Sequence, residues 1–128
     1  MYKERRYPCT NEKHTVVMTV SMEHAGKVEG RVRPGTGEIE IRIKTPDTEA
    51  GRKGLDRLVE IIKKIPARKT KRKVIETLHV ATGYGLCLAE GGMVEKEDIE
   101  HMIAAAVCIA ESKIEKIRKE RKQHGNED

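Results

Sequence analysis

Tryptophan and phenylalanine are absent, and Tyr2, Tyr7 and Tyr84 are the only aromatic residues. A sheet that binds RNA by base stacking needs aromatic side chains on its strands, so this shortage excludes an RRM-like surface. The core must instead be aliphatic, filled by Val, Ile, Leu, Met and Ala. Long apolar runs are missing too. No segment approaches the roughly 20 apolar residues that span a bilayer, and the opening Met1-Tyr2-Lys3-Glu4-Arg5-Arg6-Tyr7-Pro8 lacks the apolar stretch of a signal peptide. A cytoplasmic protein with no membrane partner is expected. Cys9, Cys87 and Cys108 are odd in number and far apart. They offer neither a disulfide framework nor a Cys-x-x-Cys knuckle, and reduced thiols follow.

Charge is plentiful. Asp, Glu, Lys and Arg make up 37% of the 128 residues, with a net charge of +5. Asn and Gln are scarce, and that balance is common in proteins from hot environments, so a thermophilic source is expected. The length suits a single α+β domain over residues 1–128, able to bury about two-thirds of its unfolded surface. The polar ends, residues 1–12 and 120–128, are expected to fray.

Three segments alternate with the period of a strand. Val16, Met18, Val20 and Met22 do so within Thr15–Met22, Val28, Gly30 and Val32 within Lys27–Arg33, and Ile39, Ile41 and Ile43 within Glu38–Lys44. Short connectors, His24-Ala25-Gly26 and Pro34-Gly35-Thr36-Gly37, predict a three-stranded antiparallel β-meander. The second turn sets Arg33 opposite Glu38, Arg31 opposite Glu40 and Glu29 opposite Arg42. On the other face it sets Val32 against Ile39 and Val28 against Ile43. Complementary pairs of this kind contribute a few tenths of a kcal/mol up to about 1 each. One apolar and one charged face predict a half-buried sheet with helices on one face, the order βββααα.

Thr45-Pro46-Asp47-Thr48 opens the first helix, whose Leu55, Leu58, Val59, Ile62 and Ile65 recur at helical spacing until Pro66. A second spans about Lys71 to Glu90, with Val74, Ile75, Leu78, Ala81, Leu86 and Leu88 toward one side. Gly83 and Gly85 inside it permit either a break near Tyr84 or close packing along the stripe Ala81, Gly85 and Ala89; close packing is the reading adopted. The third, about Glu95 to Lys122, opens on acids and closes on bases, in keeping with its dipole. Its stripe is Ile99, Met102, Ile103, Ala106, Val107, Ala110, Ile114 and Ile117. Ala104, Ala105, Cys108 and Ser112 make its opposite face small and nonpolar, which predicts a second cover, a further copy of the chain in a homo-oligomer.

The segment Lys63–Lys73 carries Lys63, Lys64, Arg68, Lys69, Lys71, Arg72 and Lys73 with no acid, seven cations in eleven residues. Such a cluster attracts phosphate by Coulomb force and counterion release without reading base sequence, so these seven are the candidate ligand-binding residues. A solvated bridge, with Lys63 and Lys64 serving the end of the first helix, is the competing account.

Other chemistry finds little footing. Glu76-x-x-His79 and Asp98-x-x-His101 have the spacing of di-iron ligands, but Glu76 and His101 point away from the apolar stripes and the two motifs fall at different levels. Cys9, His14 and His24 lack a fourth ligand. Neither Cys87 nor Cys108 has a histidine at a telling spacing, and Gly35-x-Gly37 and Gly83-x-Gly85 lack the flanking elements of a phosphate loop. Catalytic residues, metal and cofactor are therefore not assigned. The reading is a non-enzymatic module that binds nucleic acid or another polyanion. Its alternatives are a homo-oligomer holding a small anionic, nucleotide-like ligand, an interaction protein without ligand, or a small enzyme with no readable motif.

Overall fold

Ile39, Ile41 and Ile43 alternate with Glu38, Glu40 and Arg42, and burial follows the alternation: the isoleucines are fully covered and the charged residues half-buried. The computed structural model of the chain describes residues 3–4, 15–21, 29–33, 35 and 37–123. Its strands are β1 (Lys3–Glu4), β2 (Thr15–Ser21), β3 (Glu29–Arg33) and β4 (Glu38–Lys44), in the sheet order β1-β3-β4-β2. β3 runs antiparallel to β4, with Arg31 across from Glu40, Val32 from Ile39 and Arg33 from Glu38. The ladder starts at Arg31, so the expected pair of Glu29 with Arg42 is not part of it, and Val28 lies outside the described residues. In the turn between these strands Gly35 and Gly37 have φ of 74° and 69°, a region that favours glycine.

The order departs from a meander. β2 pairs antiparallel with β4, not with its sequence neighbour β3, and the expected turn His24-Ala25-Gly26 lies outside the described residues. Pairing with β4 places Val16, Met18 and Val20 across from Ile43, Ile41 and Ile39 over a seven-residue ladder. β3 offers five residues and has Gly30 in the middle of its apolar face. β4 lies between β3 and β2 and pairs with both.

Helix α1 (Glu49–Lys63) begins where Thr48 accepts a hydrogen bond from the Gly51 N–H at 3.0 Å, and it buries Leu55, Leu58, Val59, Ile61 and Ile62. A 3-10 turn, Ile65–Ala67, sinks Ile65 into the core. Helix α2 (Lys71–Glu90) is continuous through both of its glycines. A Cβ at Gly85 would lie 3.2 Å from Ile99 and 3.5 Å from Leu58, whereas one at Gly83 would meet nothing within 4 Å. Close packing therefore applies to Gly85 alone. The buried stripe of α2 is Val74, Thr77, Ala81, Gly85 and Leu88. Leu86, expected among the apolar residues, is 48% exposed. It sits two residues from Leu88 and so faces another way.

Helix α3 (Lys96–Gln123) lies against α2, β2 and the 3-10 turn. Ile99, Met102, Ala106, Ala110 and Ile117 are buried as the periodicity predicts, but Val107 is 37% exposed. Ala105 and Cys108, from the small opposite face, are buried. Cys108 borders the same crevice as β2 and the 3-10 turn, so the burial of this pair needs no second copy, while Ala104 and Ser112 stay half-buried. Sheet and helical side chains join in one aliphatic core, where each fully buried Leu or Ile contributes about 1.5–3 kcal/mol. No helix among the described residues is long and apolar enough to cross a membrane.

Candidate nucleic-acid interface

The connector between α1 and α2 begins as a helix end and finishes as a helix start, with the 3-10 turn between them. Lys63 and Lys64 close α1, Arg68 and Lys69 follow the turn, and Lys71, Arg72 and Lys73 occupy the first turn of α2. Thr70 caps α2 by accepting from the Lys73 N–H at 3.2 Å. All seven cations thus fall on one short stretch. Lys63, Lys64, Lys69, Lys71, Arg72 and Lys73 are exposed, and Arg68 is half-buried.

Two of the seven are already engaged. The Arg68 Nε donates to Thr77 Oγ1 at 3.0 Å, and that hydroxyl donates in turn to the Lys73 carbonyl at 2.9 Å. Arg72 pairs with Glu76 at 3.2 Å, one helical turn along. The five lysines have no ion pair among the described residues. Elsewhere ion pairs join Lys53 with Glu49, Arg57 with Glu60 and Lys119 with Glu115. The segment Lys63–Lys73 has no acid of its own, and the first carboxylate after it, Glu76, is taken by Arg72. Among the sheet charges, Arg42 pairs with Glu40 in the same strand.

Thr77 is a residue that periodicity alone does not reveal. It is 7% exposed and is the buried polar residue on the core side of α2. Its hydroxyl ties the connector to the helix through Arg68. A threonine in phase with Val74 and Ala81 was the available signal, and it reads as an interruption of the apolar stripe, not as an anchor.

Beside the connector a crevice of about 220 Å³ runs between the edge strand β2, the 3-10 turn and α3. It is lined by the apolar Val20, Pro66 and Ile109 and by the polar Thr19, Ser112, Lys113 and Lys116. Thr19 alternates with the core-facing Val20, so its side chain belongs to the other face of the sheet. Lys113 and Lys116 make no ion pair among the described residues. Cys108 also lines the crevice, and burial, reinforced by the nearby Glu111 carboxylate, pushes its thiol from about 9 up to about 11. At neutral pH it is a protonated packing group, far from the thiolate that nucleophilic chemistry needs.

The carboxylate of Glu76 is taken by Arg72, His79 is exposed, and among the described residues no three His, Cys, Asp or Glu side chains gather as a metal site would require. Tyr84 is half-buried against the edge of the core. Comparison of the chain with protein families, with curated proteins and with solved structures finds no match.

Proposed function

We propose that the chain is a non-enzymatic module that binds nucleic acid by its phosphates. The observation that supports this reading is the α1–α2 connector, where Lys63, Lys64, Lys69, Lys71 and Lys73 stand exposed and without carboxylate partners on one short stretch of the chain. Such a surface attracts a polyanion from any direction and reads no bases, since contacts to phosphate position a strand without specifying it. Binding is expected to be sequence-independent, with Kd about 10⁻⁴ to 10⁻⁶ M at physiological salt.

Because Arg68 holds Thr77 and Arg72 holds Glu76, the informative change is Lys64, Lys69, Lys71 and Lys73 together to Gln. Fluorescence anisotropy with DNA duplexes of unrelated sequence should show weaker binding to all of them alike. The slope of log affinity against log salt should become shallower by about 0.9 for each lost duplex contact. Equal affinity and an equal slope in the variant would leave the connector as a solvated bridge.

A further inference from the structure

The crevice adjoins the connector directly, since Pro66 belongs to both, and its chemistry differs from the connector's. The connector presents cations on an open surface. The crevice brings two lysines and a serine of α3, Lys113, Lys116 and Ser112, beside the apolar Val20, Pro66 and Ile109. A phosphodiester in mid-strand carries one negative charge, but a phosphomonoester at a strand end carries about −1.5 to −2 at neutral pH and offers three terminal oxygens. Lys113 and Lys116 match that extra charge, and the Ser112 hydroxyl can donate to one of its oxygens. At about 220 Å³ the space falls below the roughly 300 Å³ at which sites for whole small molecules begin, and it suits a phosphate with its attached sugar better than a complete ligand.

We infer that the crevice lined by Ser112, Lys113 and Lys116 receives the terminal phosphomonoester of a nucleic-acid strand whose backbone lies along the α1–α2 connector. This rests on the connector reading and adds recognition of a strand end to it. The sugar of the terminal nucleotide lies against Pro66 and Ile109, and the next phosphates reach the lysines that flank Pro66 in sequence.

The test uses the full chain and one short DNA strand, internally labelled, made with hydroxyl ends or with a phosphate at the 5′ or the 3′ end. Anisotropy at fixed salt should show one phosphate-ended strand binding about tenfold more tightly than the hydroxyl-ended one. Lys113→Met with Lys116→Met keeps the apolar stems and should erase that ratio while leaving affinity for the hydroxyl-ended strand nearly unchanged. Lys69→Gln with Lys71→Gln should weaken all the strands by the same factor and preserve the ratio. A ratio near one in the parent protein, or one that survives in the Lys113/Lys116 variant, overturns the end-recognition site. Insensitivity of the hydroxyl-ended strand to the Lys69/Lys71 variant overturns the connector reading separately, and failure to bind any strand removes both.

Discussion

Helices α2 and α3 lie against each other but treat their own dipoles in opposite ways. α3 has Glu97 and Asp98 in its first turn and Arg121 and Lys122 in its last, each on the end that favours its sign. α2 starts with Lys71, Arg72 and Lys73, has no acid in its first turn and no base in its last. Charges at a helix end are worth roughly 0.3–1 kcal/mol each when exposed, so α3 is supported locally and α2 is opposed locally. What holds the start of α2 is its Thr70 cap, the Arg68 to Thr77 hydrogen bond and the burial of Val74. Three cations at its positive end are thus tolerated because tertiary contacts hold the helix in place.

The contact between the two helices is where this comparison can be broken most severely. Gly85→Leu would drive a side chain into Ile99 and Leu58, and the loss of stability is expected to reach about 2–3 kcal/mol as overpacking. Gly83→Ala, with open space around it, should stabilise by up to about 1 kcal/mol. Denaturant midpoints of the two variants should move in opposite directions. If both glycines respond alike, α2 is not seated on α3 through Gly85.

Reversing the charge at the start of α2 tests why it is charged against its dipole. Lys71→Glu with Lys73→Glu should stabilise the fold by about 0.5–1.5 kcal/mol while weakening nucleic-acid binding on the order of 100-fold at low salt. Thermal melts and anisotropy on the same samples would show the trade. A variant that gains stability and keeps its affinity would separate the basic turn from binding.

A smaller effect is expected at the anchor. Thr77→Val keeps the shape and removes the hydroxyl that serves both Arg68 and the Lys73 carbonyl, at a cost of about 1–2 kcal/mol. Lys71→Gln should cost nothing comparable. Equal denaturation midpoints for Thr77→Val and the parent would show that the connector needs no anchor.

The smallest effect belongs to the opposite face of α3. The Cys108 thiol is raised from about 9 to about 11, chiefly by burial and secondarily by Glu111. Above pH 9 the unfolded chain gives up this proton and the folded chain keeps it. The stability tied to the protonated thiol is therefore present below pH 9 and is lost progressively as pH rises toward 11. Cys108→Ala should make stability less steep over that window in denaturant titrations. An unchanged slope would mean the thiol is not shielded by β2 and the 3-10 turn.

The α+β class, the limits of all three helices to within a residue or two, and the pairing of Arg31 with Glu40 and Val32 with Ile39 are legible in the order of the residues. These features are local: an N-cap threonine, a period of 3.6 or of 2, and a turn of known length act between residues close in the chain. The seven cations of the connector were legible for the same reason. Tertiary structure alone decided that β2 lies beside β4, because strand order depends on which apolar faces match across long separations, and the length of a loop does not reveal that match. It also decided that Ala105 and Cys108 are covered from within, that Leu86 and Val107 reach solvent, that Gly83 has no close neighbour while Gly85 does, and that Thr77 belongs to the buried stripe of α2. A threonine carries little hydropathy of its own, so its place in the core is set by the neighbour that comes close to it. The crevice beside Pro66 has the same origin: Thr19, Pro66 and Lys113 are far apart in the chain, and they line one space because α3 lies along the edge of the sheet.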